Sequence, residues 1–379
     1  MKRFFLLPVI VGTIVFSSCV QAGPKPVNPH ATKEAKELLG FLYSISGQYT
    51  LAGEHNFSSD LQRYDEEVFA LTGKFPVVWG GDFSFNAIGD GAQRYQHAGP
   101  LNLSVPFDRP CVDTGLSVEE ARQNIVDMAI RKWAEGRIIT LMWHCCDPRY
   151  GGGNDCDGDK VWTMDKGPSD EEWDELCTEG TALNSAWKRE MDTVIPYLAQ
   201  LQDAGVPVLW RPYHEMNGGW FWWGNKPGEN GFRRLWIMTY KYFTEKGLNN
   251  LLWVWDPNAP RVKENDDALP YAHFYPGNEY VDVLAADIYG WDYKQSHHDE
   301  LVQLGEGRPI AMGEVGQLPM ELSVFDEQPR WTWFMVWGYF IGGHRSVPEH
   351  RELVKAIYDS PRIITLDEME FKGGKHRLL

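Results

Sequence analysis

Residues 206–224 of this chain read VPVLWRPYHEMNGGWFWWG. The apolar run Val206–Leu209 is continuous rather than alternating, which is typical of a strand buried on both faces by flanking helices. Pro212 and the glycines that follow are residues that end such a strand. His214 and Glu215 should therefore lie at its C-terminal tip, with a cluster of large aromatic residues directly after them.

Short apolar runs that end in polar or aromatic residues recur along the whole chain. In order, the eight predicted strands are Thr50–Glu54, Phe75–Trp79, Ile138–Trp143, Val206–Arg211, Leu251–Trp255, Val281–Ile288, Pro309–Glu314 and Trp333–Tyr339. Apolar residues at helical spacing predict helices over Val118–Glu135, Leu183–Ala204, Phe232–Lys246 and Pro348–Asp359.

Strands and helices that alternate in this way predict an α/β fold with one catalytic domain, a (β/α)8 TIM barrel. An open, doubly wound sheet is the alternative, and it requires a glycine-rich phosphate-binding turn after the first strand. Residues 53–56 read Gly-Glu-His-Asn and lack that pattern, which favours the barrel. In a barrel, functional side chains gather at the C-terminal ends of the strands.

The composition is that of a globular protein, since 43% of the 379 residues are hydrophobic and only 23% are charged. The formal net charge of −17 argues against nucleic acid as a partner, because phosphates require a basic surface. The 17 tryptophans offer flat apolar faces of the kind that pack on sugar rings. Helical spacing predicts a core position for Trp133, Trp187 and Trp236, whereas the cluster Trp220–Trp223 is predicted to line a site.

The first 22 residues have the features of a signal peptide, with two basic residues before the apolar run Phe4–Phe16. That run is too short to span a bilayer. Two processing patterns remain open: lipid modification at Cys19, which follows two serines, and cleavage after Ala22. The first predicts a periplasmic or outer-membrane protein that contacts the membrane through its lipid anchor, and the second an extracellular one.

Residues 23–34 are rich in proline at their start and are predicted to form a short tether, with the catalytic domain spanning residues 35–379. An odd number of cysteines besides Cys19 predicts at least one unpaired thiol in an oxidising compartment. These cysteines are Cys111, Cys145, Cys146, Cys156 and Cys177.

A second carboxylate ends the seventh predicted strand, where residues 309–316 read PIAMGEVG. The glycines on either side of Glu314 allow close approach of a substrate to the backbone. The motif is weak alone, but Glu215 ends a strand three places earlier. Glycoside hydrolysis requires two carboxyl groups across the scissile bond, one protonated to assist the leaving group and one ionised to attack or to activate water.

The segment Arg211–Gly224 and the pair Gly313-Glu314 resemble motifs of glycoside hydrolase family 26, whose members are mostly β-mannanases. The resemblance extends in strand order over nearly all of the mature chain. It implies a retaining enzyme that cleaves β-1,4-mannosidic bonds in mannan, glucomannan, galactomannan and manno-oligosaccharides. It also implies that Glu215 is the acid/base and Glu314 the nucleophile.

The resemblance implies a set of substrate-binding residues at other strand ends. His144 would contact the sugar, His214 the nucleophile or substrate, and Tyr289 the nucleophile. Trp220 would form an aromatic platform near the cleavage point, and Trp337 the floor of the subsite for the reacting sugar. The full set is His144, Arg211, His214, Trp220, Tyr289 and Trp337. The chain departs from the family after the third strand, where Cys145-Cys146-Asp147-Pro148 replaces the usual Asn-Pro.

Retaining chemistry requires the two carboxyl groups to lie about 5 Å apart, with a covalent glycosyl-enzyme intermediate. We expect Glu314 to have a low pKa, because Tyr289 and Arg211 would stabilise its ionised form. Glu215 should have a raised pKa, because the aromatic wall and the charge of Glu314 disfavour its ionised form. The pH profile of kcat/KM should then be bell-shaped.

Three other functions are compatible with parts of the sequence. A zinc site could use His144 and the cysteines after it, although their spacing fits no common zinc pattern. The acidic loop Asn154–Asp159 resembles a calcium loop only loosely. A carbohydrate-binding protein would need the aromatic residues but neither glutamate. We therefore expect no metal and no cofactor, and the nearest enzymatic alternatives are a β-glucanase or a β-xylanase on the same scaffold.

Two strand ends are followed by long excursions, Ser84–Val118 and Cys145 to about Leu183. Loops of this length in a compact domain are often functional. They could close one end of the cleft and favour short products such as mannobiose. We expect a monomer.

Overall fold

The computed structural model describes residues 24–58, 60–83, 116–152, 161–163, 166–263, 267–338, 340–343 and 348–379. The predicted signal segment, most of the excursion after Ser84 and the acidic loop at 154–159 lie outside the described residues, as do Cys19, Cys111 and Cys156. None of the described helices is long and apolar enough to cross a bilayer.

Eight parallel strands form a closed barrel. Its first strand consists of two short pieces, β1 and β2, separated by Ala52, and it pairs with the last strand, β9, which also pairs with β8. The barrel strands are β1 (Thr50–Leu51), β2 (Gly53–His55), β3 (Val78–Asp82), β4 (Ile138–Trp143), β5 (Val208–Pro212), β6 (Leu251–Trp255), β7 (Val283–Ile288), β8 (Ile310–Val315) and β9 (Trp331–Val336). Every residue of these strands is buried, as expected for strands covered by helices on the outside.

Helices follow most of the strands and cover the barrel. Among the described residues they are α1 (Lys33–Ile45), α2 (Arg63–Thr72), α3 (Val118–Ala134), α4 (Asp170–Leu176), α5 (Ala182–Asp192), α6 (Ile195–Asp203), α7 (Phe232–Glu245), α8 (Gln295–Gly305), α9 (Val324–Glu327), α10 (Phe340–Gly343) and α11 (Pro348–Tyr358). The strand β10 (Ile363–Ile364) adds to β1, and β11 (Met369–Lys372) pairs with β12 (Lys375–Leu378) in an antiparallel hairpin.

The predicted (β/α)8 barrel is confirmed. All eight predicted strands overlap an observed one, and those at Ile138–Trp143 and Leu251–Trp255 have the predicted bounds. The prediction of one helix over Leu183–Ala204 was wrong, because the chain forms α5 and α6 with a break at Thr193 and Val194. Pro196 stands in the first turn of α6, where its missing N–H costs nothing, but it could not continue α5.

The segment predicted to be a tether contacts the barrel where it is described. The Val27 N–H donates to Asp282 Oδ1 at 2.7 Å, and the Asn28 side chain donates to the Leu248 carbonyl at 3.2 Å. The Thr32 N–H donates to the Asn249 carbonyl at 2.8 Å. The division of the chain into residues 1–22, 23–34 and 35–379 remains a prediction.

A buried ion cluster fixes α2 and α3 beside the first barrel strands. Asp65 Oδ2 lies 3.0 Å from Lys132 Nζ and 3.0 Å from Arg137 Nη1, and the Asp65 side chain is fully buried. Lys132 and Arg137 are 5% and 1% exposed. Both cations therefore depend on this carboxylate in a region from which water is largely excluded.

Replacing Asp65→Ala should lower the free energy of unfolding by about 3–5 kcal/mol, because it leaves two buried cations without their main counter-ion. Urea denaturation followed by circular dichroism measures this change. Glu352→Ala is the matched control, because Glu352 forms a surface pair with Lys355, and its removal should cost no more than about 0.5 kcal/mol. Equal effects of the two substitutions would contradict the importance given to the buried cluster.

Candidate active site

The two glutamates predicted to act together lie at strand ends on the same side of the barrel. Glu314 is the penultimate residue of β8, and Glu215 lies three residues after the end of β5. Both are largely buried, with 3% of Glu314 and 9% of Glu215 exposed. The backbone of Glu215 has φ +53°, and its N–H donates to the Asp256 carbonyl at 2.7 Å. This left-handed turn directs Glu215 from the fourth barrel strand towards the end of the fifth.

Glu314 is held by a cation and a hydroxyl group. Arg211 Nη2 lies 3.2 Å from Glu314 Oε1, and the Tyr289 hydroxyl donates to Glu314 Oε2 at 2.7 Å. Each carboxylate oxygen thus has one donor, and one of the donors is permanently charged. Ionised acceptors form the strongest hydrogen bonds of this kind, so these two donors stabilise the carboxylate form of Glu314.

A second layer of carboxyl groups lies around Arg211, which is 1% exposed. The guanidinium pairs with Asp256, and its Nη1 lies 3.7 Å from Asp287 Oδ1. Burial, together with the charges of Asp256 and Glu314, raises the pKa of Asp287 well above its ordinary value. The neighbour of Glu314 must be glycine, because a Cβ at Gly313 would lie 2.1 Å from Asp256 Oδ1.

Within the described part of the chain, the hydrogen-bond donors to Glu215 are neutral. The Trp220 indole N–H donates to Glu215 Oε2 at 2.7 Å, and the Asn258 side-chain amide donates to Oε1. The Arg261 guanidinium donates in turn to the Asn258 side-chain oxygen and lies 5.4 Å from the Trp220 ring centre. The two glutamates therefore differ in their partners, since Glu314 contacts a cation directly and Glu215 does not.

The pKa of Glu215 is raised to about 8, first by burial and then by the negative charge of Glu314. This direction agrees with the prediction. The low pKa predicted for Glu314 was wrong: burial raises its pKa as well, although Arg211 and the Tyr289 hydroxyl act against this. The prediction considered the donors but underestimated how strongly a site with 3% exposure disfavours any charge.

Two predicted histidines lie beside each other at the ends of the third and fourth barrel strands. The His144 and His214 ring centres are 4.4 Å apart, with the rings nearly perpendicular. His144 Nδ1 lies 2.6 Å from Asp82 Oδ2, and the backbone N–H of His144 donates to Asp82 Oδ1 at 3.3 Å. Burial and the neighbouring His144 lower the pKa of His214 well below its ordinary value, so His214 is a neutral imidazole at neutral pH.

Trp337 follows the last barrel strand and packs between histidine rings. Its indole stacks on His55 with ring centres 4.0 Å apart and an angle of 15° between the planes. His144 approaches it edge-on at 6.2 Å. The structure thus brings all eight predicted site residues to the C-terminal ends of strands, although their roles remain predictions.

The tryptophan cluster after Glu215 divides into two groups. Trp220 contacts Glu215, whereas Trp222 and Trp223 are fully buried. The indole N–H of Trp222 donates to the Cys145 carbonyl at 2.9 Å, and that of Trp223 to the His214 carbonyl at 2.8 Å. These two indoles thus bind the backbone at His214 and next to His144. The prediction that they line the site was wrong, because both are fully buried. Trp133, Trp187 and Trp236 are buried, as predicted.

Several residues that contact the predicted site were missed by sequence reasoning. Asp82, Asp256 and Asp287 lie at or directly beside the C-terminal end of a strand, which is the signal that would have found them, whereas Asn258 and Arg261 lie three and six residues after β6. Asp82 ends β3, because that strand extends past the predicted end at Trp79. The missed residues are Asp82, Asp256, Asn258, Arg261 and Asp287.

The cysteines after His144 do not share one environment. Cys146 is disulfide-bonded, whereas Cys145 and Cys177 carry free thiols. Burial raises the pKa of the Cys145 thiol well above its ordinary value, which makes it a poor metal ligand and a poor nucleophile. No group of three or more metal-ligating side chains occurs among the residues that the structure describes.

A barrel that carries two buried, electrostatically coupled carboxyl groups at the C-terminal ends of its fourth and seventh strands has the site of a glycoside hydrolase. The family model of glycosyl hydrolase family 26 matches residues 27–91 and 111–368. The chain therefore belongs to this family, as its motifs predict.

Two curated relatives are mannan endo-1,4-β-mannosidases. The one from Thermothelomyces thermophilus is 30% identical over 355 residues, which are 90% of this chain and 63% of the relative. The chain thus spans less than two thirds of that relative's length. The one from Bacillus subtilis is 27% identical over 337 residues, with 82% of each chain covered.

Two solved structures superpose on the chain. GH26A from Muricauda sp. is 40% identical, with a TM-score of 0.77, and the match covers 91% of this chain and all of the other. A β-mannanase from a symbiotic protist of the termite Reticulitermes speratus, in complex with gluco-manno-oligosaccharide, is 29% identical with a TM-score of 0.70. That match covers 90% of this chain and 96% of the other.

The raised pKa of Glu215 should make stability depend on pH. A carboxyl group whose pKa is higher in the folded state binds more protons there, so folding loses stability as the pH rises from the unfolded value of about 4.3 to about 8. Each unit of difference between the two pKa values corresponds to about 1.4 kcal/mol.

The substitution Glu215→Gln removes this titration. The melting temperature of the variant minus that of the wild type should therefore increase as the pH rises through the same interval. Thermal unfolding of both proteins between pH 4 and pH 9 measures the difference. Any constant offset from the amide group is irrelevant, because only the slope is compared. Parallel curves for the two proteins would show that Glu215 titrates as in the unfolded chain.

Proposed function

We propose that the protein is a retaining mannan endo-1,4-β-mannosidase in which Glu314 is the nucleophile and Glu215 the acid/base. The observation that supports these roles is the difference between the partners of the two glutamates. Glu314 contacts Arg211 at 3.2 Å and the Tyr289 hydroxyl at 2.7 Å, which favour an ionised nucleophile. Glu215 has neutral donors and a pKa of about 8, which favour a protonated acid.

The reaction then has two steps. Glu314 attacks the anomeric carbon while Glu215 transfers its proton to the leaving oxygen, and a covalent glycosyl-enzyme forms. When the charge of Glu314 disappears into the ester, the pKa of Glu215 falls, because that charge helps to raise it. Glu215 is then a base that takes a proton from water, and the hydroxide releases the sugar from Glu314.

The neutral His214 and the oriented His144 suit a substrate that presents hydroxyl groups. The carboxylate of Asp82 holds the His144 imidazole through Nδ1, which leaves Nε2 for a sugar hydroxyl. Trp337 supplies a buried flat face beside it. β-Mannan is the proposed polymer because the curated relatives are mannanases, and glucomannan is included because the protist enzyme was solved with a gluco-manno-oligosaccharide.

Finer parts of the proposal concern product length, export and assembly. Release of short products such as mannobiose is proposed; most of the first long excursion and part of the second, from which the sequence predicts it, lie outside the described residues. A ladder of many product lengths early in the digestion of mannan would contradict this.

The chain is proposed to be a monomer, exported and anchored in the periplasm or outer membrane by lipid on Cys19. Failure of Cys19→Ser to shift the expressed protein from the membrane to the soluble fraction would contradict the anchor.

The main test is hydrolysis of β-1,4-mannan by the wild type, Glu215→Ala and Glu314→Ala. Both variants should lose about a thousandfold or more in kcat, because one lacks the acid and the other the nucleophile. Reducing-end assays measure the rates, and lichenan and xylan are assayed in parallel. Cleavage of one of these polymers but not of mannan would support the glucanase or xylanase alternative. Binding of mannan without cleavage would support a carbohydrate-binding protein.

The pH profile of kcat/KM should be bell-shaped, with activity lost above about pH 8 as free Glu215 gives up its proton. The acidic limb should reflect protonation of Glu314. Initial rates at substrate concentrations far below KM, measured between pH 4 and pH 10, test this. A profile that stays flat through pH 9 would exclude Glu215 as the general acid.

A further inference from the structure

Two residues outside the predicted set form a chain of hydrogen bonds that ends on Glu215. The Arg261 guanidinium donates to the side-chain oxygen of Asn258, and the Asn258 amide donates to Glu215 Oε1. A guanidinium has donors only, so the amide oxygen must face Arg261. The NH2 group of Asn258 must then face Glu215, and the amide cannot reverse to accept a proton from it.

The backbone around this chain of bonds is fixed by the loop that carries Glu215. The Asn258 N–H donates to Asn217 Oδ1 at 2.8 Å, and the Asn217 amide donates back to the Asn258 carbonyl at 2.8 Å. Arg261 forms a two-way backbone pair with Ala268, at 3.0 and 2.9 Å. The Leu269 N–H donates to the Asn217 carbonyl at 2.9 Å. Arg261 and Asn258 are therefore set at a fixed distance from Glu215.

The other oxygen of Glu215 has a different neighbour. Oε2 accepts the Trp220 indole N–H at 2.7 Å, and the Trp220 ring lies under the Arg261 guanidinium. The indole is a single fixed donor, so an Oε2 that carries a proton can still accept from it while donating elsewhere. Oε1 accepts instead from an amide that the Arg261 guanidinium polarises, which is the stronger of the two donors, and Oε1 is hence the better carbonyl oxygen of the protonated acid.

We propose that Arg261 and Asn258 are positioning residues that fix the catalytic proton on Oε2 of Glu215, an inference that rests on the proposed glycosidase function. The proton passes from Oε2 to the glycosidic oxygen as the bond from that oxygen to the anomeric carbon breaks and Glu314 bonds to the same carbon. Glu215 becomes a carboxylate with one N–H donor on each oxygen. Water later restores the proton to Oε2.

Charged groups on three neighbouring elements face Glu215. Glu314 on β8 and Asp287 on β7 are acidic, and Tyr289 lies beside them with its hydroxyl on Glu314. Arg261, in the loop after β6, is the cation that opposes the charge of Glu314 at Glu215 and lowers its pKa. Loss of the Arg261 charge should therefore raise the pKa of the acid, besides freeing the Asn258 amide to rotate.

The test compares two substrates that differ in their need for a proton. Mannopentaose has a sugar leaving group that must be protonated, whereas 2,4-dinitrophenyl β-mannobioside has one that leaves without help. Arg261→Met should lower kcat/KM for mannopentaose about ten- to a hundredfold, which is part of the 10²–10⁴ that a positioned acid supplies. It should change kcat/KM for the dinitrophenyl substrate, which reports only the first step, less than about threefold.

The pH profile separates positioning from a structural role. In Arg261→Met the basic limb of kcat/KM for mannopentaose should move to higher pH, because the cation that lowers the pKa of Glu215 is gone. Arg261→Lys retains the charge and one donor, and it should restore the limb and most of the rate. Asn258→Ala should show the same dependence on the leaving group. Arg233→Met is the matched control, because Arg233 is a half-buried arginine on α7 that donates to the Ala272 carbonyl.

Equal losses on both substrates with an unchanged basic limb would overturn the inference, and so would a wild-type profile in Arg261→Met. Melting temperatures of all variants identify any that fail to fold, and if Arg261→Met is one of them, Asn258→Ala carries the test through its dependence on the leaving group. The wild type tests the proposed function separately. If it does not cleave mannopentaose the proposed function fails, whereas cleavage without these effects removes only the role of Arg261 and Asn258.

Discussion

A single buried cation, Arg211, determines the arrangement of the site. Its guanidinium is 1% exposed and contacts Asp256, Glu314 and, at a longer distance, Asp287. Arginine cannot lose its proton in a protein, so this charge is present at every working pH. Without it, Asp256, Glu314 and Asp287 would share a dry cavity without their main counter-ion, and they would bind protons or destabilise the fold around them. Beside this cluster the chain after the fourth barrel strand is joined to the end of the fifth, because the Asp256 carbonyl accepts the Glu215 N–H.

The aromatic residues complete this arrangement from outside. Trp222 and Trp223 fill the space below the histidines and use their indole N–H groups to fix the Cys145 and His214 carbonyls. Trp220 instead donates its indole N–H to Glu215. Water is thereby excluded from the carboxyl groups, which raises the pKa of Glu215 and strengthens every charge interaction in the cavity. The three tryptophans therefore serve the chemistry even though only one of them touches a carboxylate.

Sequence reasoning predicted the barrel and the two glutamates because both depend on local patterns. A strand that appears as a continuous apolar run followed by a polar residue can be predicted without knowledge of any tertiary contact, as at Ile138–Trp143. Arg261 and Asn258 were missed because their importance lies in which partner each meets. Their contacts depend on a backbone pair with Ala268 and on Asn217, across loops whose course no periodicity specifies. The error on Glu314 has a similar origin, since motif matching identifies donors but does not measure burial.

Tyr213 and Glu215 both have φ values near +54°, at +54° and +53°, where residues with a Cβ pay about 1–2 kcal/mol. Glycine would fit either backbone position with less strain, yet it could supply neither the carboxylate nor the hydroxyl that accepts the Trp187 indole N–H. At Glu215 the backbone therefore favours glycine while the chemistry requires a carboxylate, whereas at Tyr213 the buried phenol itself packs in the core and accepts a hydrogen bond. A descendant of this chain released from the need to cut sugars would gain stability by losing Glu215 first. Gly313, whose absent side chain leaves room for Asp256, would still be retained for as long as the ion cluster persisted.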